Sequence, residues 1–275
     1  MSLNYGLHFT GGEPFINFDL LLKAVQIADE FEIPSTFVET NCFWCRSDKI
    51  TREKLNLLKS AGLRGILISV NPFYAEYVPF ERTERCIKIS WEVFGPNVMV
   101  YQTQYYKLFK QLGIRKRIPL AKYLALAQTK SLASEVELFL MGRAVVQLKD
   151  MYPAYPAQHF FSQSCLPPFL REWHNHLDNY GNIMPGYCGG ISLGDWHQLD
   201  DLIEDGIDLD KRPVLRFLIA ENMQGLFDFA EDLGYRESEA GYISKCHLCL
   251  DLRNYLVSQK DFKELRPLEF YDHLE

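Results

Sequence analysis

The sequence predicts an α/β protein whose first half carries a parallel sheet, followed by a smaller cysteine-rich α+β domain. Three observations lead there. Short strand-like runs begin near Tyr5, Ser35, Gly65 and Asn97, at intervals of 30, 30 and 32 residues. Each run ends in polar residues and is followed by a helical pattern, which is the βαβ signature of parallel strands. Four cysteines, Cys165, Cys188, Cys246 and Cys249, lie in the second half. Right-handed crossovers place the C-terminal ends of successive parallel strands on one rim. Period alone leaves an open sheet and a partial barrel both standing.

The elements follow in order. Tyr5-Gly6-Leu7-His8-Phe9 is the first strand, and Asn17 opens a helical pattern across Phe15 to Ile33, with Leu21, Ala24, Val25 and Ala28 on one face. The second strand is Thr36-Phe37-Val38. Thr51 reads as the N-cap of a helix from Arg52 to Ala61, with Gly62 as its stop. Ile66-Leu67-Ile68 is the third strand. Pro79 to Phe94 and Gln102 to Leu112 are helical, and Leu138 to Met141 is a fifth strand-like piece. The Pro-rich stretch Met151 to Pro156 marks the boundary, giving domains of 1–150 and 151–275.

Composition narrows the function classes. Apolar residues make up 47% and charged residues 24%, as in an ordinary globular protein. There are 29 Lys and Arg against 36 Asp and Glu, a net charge of −7. That balance argues against a nucleic-acid binder or a membrane-surface protein, either of which carries a basic face. With no signal-like leader and no long apolar run, the expected compartment is the cytoplasm. Seven cysteines there are expected as thiols, and those that cluster as metal ligands or catalytic groups.

The first strand ends in Thr10-Gly11-Gly12-Glu13-Pro14. Two glycines let a ligand approach the backbone closely, Glu13 adds a carboxylate, and Pro14 fixes the exit of the turn. The second strand ends in Glu39-Thr40-Asn41 and the third in Ser69-Val70-Asn71. Polar residues from three successive strand ends suit a nucleoside or amino-acid ligand, and Ser, Thr and Asn also serve simply as caps of the following loops. The series resembles that of radical S-adenosylmethionine enzymes. These carry a Gly-Gly-Glu-Pro turn, a Thr-Asn-type ending and a Ser-plus-Asp/Asn ending on successive barrel strands. The resemblance covers roughly residues 5–150. It implies a partial (β/α)6 barrel, with Gly11, Gly12, Glu13 and Pro14 at the methionyl ammonium. It also implies that Glu39, Asn41, Ser69 and Asn71 line the seat, with Asn41 and Ser69 facing the ribose or carboxylate.

The chain departs from that family at one point. The Cys-x3-Cys-x2-Cys loop that binds the catalytic [4Fe-4S] cluster does not occur in it, and only ten residues precede Gly11. The first βα unit of such a barrel is therefore expected to be missing, through truncation of a longer product. The chain alone is not expected to perform radical chemistry.

In the second half, Cys246-His247-Leu248-Cys249 opens a helical pattern from Leu250 to Leu256. Thiolates at a helix start gain from the helix dipole and from nearby N–H groups. Trp173 to Tyr187 reads as a hairpin with a glycine-containing turn, delivering Cys188 at the end of its second strand. With Cys165 this makes a four-thiolate site for iron–sulfur or zinc. It resembles the SPASM or twitch-type auxiliary-cluster domains of radical S-adenosylmethionine enzymes, which implies a [4Fe-4S] auxiliary cluster here.

Other features have plainer readings. Cys42 and Cys45 form a second Cys-x2-Cys on a loop that ends well before the Thr51 helix, a poor frame for thioredoxin-like chemistry. Cys86 falls on an apolar helical stripe and reads as a core thiol. His174 and His176 share one side of a hairpin strand, and His8 lies mid-strand; solvent or packing accounts for all three. Asp200 to Asp210 reads as a solvated connection.

Two functions follow. One is S-adenosylmethionine-dependent radical chemistry on a peptide or small molecule, performed by the complete protein with a reductase partner. The other is a non-catalytic iron–sulfur or zinc module derived from the same fold.

Overall fold

The computed structural model describes residues 6–126, 141–169 and 175–274. Its contacts divide the chain into two units, Met1–Val136 and Glu137–Glu275, a division that falls ahead of the Pro-rich stretch rather than within it.

The first unit is built on four parallel strands in sequential order: β1 (Gly6–Phe9), β2 (Ser35–Thr40), β3 (Gly65–Ser69) and β4 (Val98–Tyr101). All four coincide with the expected runs. The fifth, Leu138 to Met141, lies outside the described residues except for Met141, which is not in a strand. Helices α1 (Phe18–Glu30), α2 (Asp48–Ser60), the short α3 (Pro72–Ala75), α4 (Phe80–Phe94) and α5 (Thr103–Gln111) connect and follow the strands.

Side-chain alternation separates the two faces of the sheet. Val38, Thr40, Ile66 and Ile68 are buried, whereas Phe37, Glu39 and Leu67 are half-buried and Met99 is exposed. The buried face meets apolar helix stripes: Leu21, Val25 and Ala28 on α1, Leu55 and Leu58 on α2, Cys86, Ile89 and Val93 on α4. These recur at intervals of three and four, the helical period. Each buried Leu, Ile or Val contributes about 1.5–3 kcal/mol.

One cap differs from expectation. Ser47, not Thr51, caps α2, accepting the Ile50 N–H at 3.3 Å. Thr51 lies inside the helix, fully buried, and donates its hydroxyl to the Ser47 carbonyl at 2.8 Å. Asn17 caps α1 as expected, accepting from Leu20 N at 3.1 Å.

The second unit is helical, with a small antiparallel sheet of His176–Leu177, Asn182–Met184 and Gly194–Asp195. The expected hairpin is present, but Cys188 sits in the turn beyond its second strand, with its N–H bonded to the Pro185 carbonyl. The segment from Asp200 to Asp210 is not a plain connection: Leu199–Asp205 is helical and Leu209–Lys211 a 3-10 turn, both largely exposed. The Lys245–Gln259 helix includes both late cysteines in its first turns and is capped by Ser244, which accepts the His247 N–H at 3.1 Å. Gly190 adopts φ +78°, and a Cβ there would lie 2.4 Å from the Phe270 ring. Only glycine permits that approach, which seats the turn after Cys188 beneath Phe270 and Tyr271.

Candidate functional site

The rim of the first unit is organised around two carboxylates. Glu13 follows the exposed Gly11-Gly12 turn but points inward, 9% exposed. Its oxygens accept from Phe15 N at 3.2 Å, from the Thr40 hydroxyl at 2.9 Å and from Asn41 N at 2.7 Å. Burial raises its pKa, opposed in order by the bonds from Asn41, Thr40 and Phe15. The carboxylate thus ties the end of β1 to the end of β2. Pro14 opens the 3-10 turn that Glu13 caps.

Thr40, not singled out in the sequence, is the hub of this arrangement. Its oxygen also accepts from Cys42 N at 3.0 Å and from the Trp44 indole N–H at 2.9 Å. Trp44 stacks on Phe15, with ring centroids 4.0 Å apart.

Glu39 is the second carboxylate and faces the half-exposed side of the sheet. It accepts from the Thr10 hydroxyl at 3.1 Å and from the Ser69 hydroxyl, and His8 Nε2 lies 3.5 Å away. Asn41 and Asn71 spend their side-chain oxygens locally, on Phe43 N at 3.0 Å and Tyr74 N at 2.9 Å. Both therefore act as caps of the following loops. Ser69 and Asn71 border a small cavity of about 10 Å³ together with Tyr74 and Thr83. Gly12 offers open space: a Cβ added there meets nothing within 4 Å.

In the second unit, Cys165, Cys188, Cys246 and Cys249 line one cavity of about 30 Å³. They arrive from three segments: the residue before a short helix, the glycine turn after the hairpin, and two positions three residues apart on the Lys245–Gln259 helix. Among the described residues, only Cys42, Cys45 and Cys86 bring three ligand atoms within 4.8 Å of one another. No three of the four second-unit sulfurs are so close. A single tetrahedral zinc with bonds of about 2.3 Å holds its sulfurs roughly 3.8 Å apart. The four second-unit sulfurs are spread more widely than that.

Arg253 completes this cavity and was not anticipated. Cys246, Cys249 and Arg253 stand at i, i+3 and i+7, so they share one helix face. That spacing was the available signal. Arg253 is 4% exposed and donates at 2.9 Å to both the Gly189 carbonyl and the Tyr271 hydroxyl. Lys245 also borders the cavity. The ring of His247 turns elsewhere: its Nδ1 accepts from Ile243 N at 3.2 Å. His176 bonds the Gly186 carbonyl at 2.6 Å and steadies the approach to Cys188. His174 lies outside the described residues.

Burial pushes Cys165 and Cys188 up to about 12, the Arg253 charge opposing it at Cys188. At pH 8 roughly one in 10⁴ of such thiols is ionised, against about one in four for an ordinary cysteine. Alkylation of these two thiols in the metal-free chain is therefore expected to be slower than that of a free thiol by on the order of 10³. Mass-spectrometric labelling rates check this directly.

No protein-family model matches the sequence, and no curated protein matches it.

Proposed function

We propose that this chain carries the ligand seat and the auxiliary-cluster domain of a radical S-adenosylmethionine enzyme. The observation that carries the reading is the convergence of four cysteines from three separate segments on one cavity, with no three of their sulfurs within 4.8 Å of one another. Cys165, Cys188, Cys246 and Cys249 would hold a [4Fe-4S] cluster, which supplies one-electron chemistry when bound. Arg253 and Lys245 would offset the thiolate charge that such a core leaves uncompensated.

The sequential parallel sheet, with one face covered by helices and the other half-exposed, supports a partial (β/α)6 barrel. Its rim would receive S-adenosylmethionine at the open Gly11-Gly12 backbone, with Glu39 and Ser69 beside it. Because Glu13 is turned onto β2, its part is to hold the turn in place; Glu39 is the carboxylate nearer the open side. The substrate, a peptide or a small molecule, would meet the half-exposed face.

The test is calorimetric titration with S-adenosylmethionine. Saturable binding near millimolar, about 4 kcal/mol, is expected. Gly12→Val should keep the fold, since its Cβ has room, and abolish the binding. Identical heats for the wild type and Gly12→Val would count against the seat. A chain that holds a cluster and binds no S-adenosylmethionine would be the non-catalytic iron–sulfur module instead.

A further inference from the structure

Cys42, Cys45 and Cys86 meet in the core of the first unit. Cys86 is not merely a core thiol, and the Cys42–Cys45 pair is not isolated on its loop. All three are 0% exposed, and their sulfurs lie within 4.8 Å of one another. The loop that supplies two of them is held in an unfavourable shape. Cys42 has φ +68°, a left-handed backbone that costs a non-glycine residue free energy. A turn closed by Cys45 N on the Cys42 carbonyl at 3.1 Å brings the two side chains to the same side.

Helix α4 fixes this loop from two further points. Arg82 donates to the Phe43 carbonyl, and Arg85 donates to the Cys45 carbonyl at 2.8 Å while pairing with Asp48. The same helix presents Cys86 one residue beyond Arg85. One element therefore positions the third sulfur and clamps the loop that bears the other two.

We infer that Cys42, Cys45 and Cys86 form a three-thiolate site for one soft, thiophilic metal ion, Cu(I) in preference to Zn(II). Sulfur is the only strong donor in the cluster, and soft thiolates select Cu(I), zinc and iron–sulfur groups. Their close spacing suits one ion rather than a cluster. Structural zinc almost always takes four ligands, and the further neighbours are weak ones: the hydroxyls of Thr51 beside Cys45 and of Ser90, 3.8 Å from the Cys86 sulfur. Three-coordinate Cu(I) needs neither. Each thiol gives up its proton as it binds, and Arg82 and Arg85 supply positive charge at the edge of the loop. This site is independent of the second-unit cavity, so its failure would leave the proposed cluster untouched.

The experiment titrates Cu(I), delivered anaerobically against a competing chelator, into the full chain carrying Cys246→Ser and Cys249→Ser. Those substitutions remove the helix-borne pair of second-unit thiols and leave Cys165 and Cys188, whose contribution the comparison with Cys86→Ser subtracts. One equivalent should bind with thiolate-to-copper charge-transfer absorption, and Zn(II) should bind more weakly. Adding Cys86→Ser should weaken Cu(I) at least a hundredfold while circular dichroism is unchanged. No competitive Cu(I) binding by the reduced, folded chain would overturn the site; tighter Zn(II) than Cu(I) binding would overturn the stated preference. If Cys86→Ser does not fold, labelling of the wild type decides the matter. At a urea concentration where the metal-free chain reacts, Cu(I) should slow alkylation of Cys42, Cys45 and Cys86 together at least tenfold. Unchanged rates at these three would overturn the proposal.

Discussion

Glu13→Ala is expected to destabilise the first unit by about 2–4 kcal/mol, because it strips acceptors from Phe15 N, the Thr40 hydroxyl and Asn41 N within a nearly buried pocket. The loss should spread along the wired residues. Thr40 would keep its bonds from Cys42 N and the Trp44 indole but lose the carboxylate that anchors it. Trp44 fluorescence and urea unfolding report the two effects together. The pH dependence has a definite sign. Burial raises the Glu13 pKa in the folded chain above its ordinary value of 4.5, so the folded state binds the proton more tightly than the unfolded one. Its contribution is fully present below pH 4.5 and is lost as the pH rises through the folded value. The stability difference between the wild type and Glu13→Gln should therefore shift against the wild type as pH climbs above 4.5. A difference that is flat with pH would contradict the inward carboxylate.

Arg253→Leu is expected to act differently on two states of the second unit. In the metal-free chain the neighbouring thiols Cys165 and Cys188, with pKa values near 12, are protonated at neutral pH, so the buried guanidinium faces no full negative charge from them. Replacing it with an apolar side chain then loses two hydrogen bonds but also removes a costly buried charge, and the net change should be small. Once thiolates are bound to a cluster, the same substitution removes their cationic partner. The loaded chain should lose about 3–5 kcal/mol more than the metal-free one. Urea unfolding of both states, with chelator-driven cluster release alongside, measures the gap. Equal losses in the two states would mean that Arg253 serves packing alone.

Much of this architecture was legible in the residues. The strand starts followed from a regular interval and from polar endings, both local properties. The sequence grouped the second-unit cysteines by their chemistry, and they line one cavity, with the Cys-x2-Cys at a helix start. What escaped was tertiary. Cys86 sits on an ordinary apolar stripe, and nothing local says that its sulfur meets a loop some forty residues earlier. Glu13 reads as a ligand-facing acid until the Pro14 turn rotates it onto β2. Thr51 and Ser47 are both competent caps; Ser47 takes the role because starting α2 there buries Thr51 against the core. Arg253 could have been found by extending the helix face from Cys246 and Cys249 by one more turn.

Mössbauer spectroscopy of the full chain, reconstituted anaerobically with ⁵⁷Fe and sulfide, tests the central claim most directly. The account predicts one [4Fe-4S] cluster per chain, retained in Cys86→Ala and lost in Cys246→Ala and in Cys249→Ala. Iron that is absent, mononuclear, or indifferent to the Cys246 and Cys249 substitutions would contradict it.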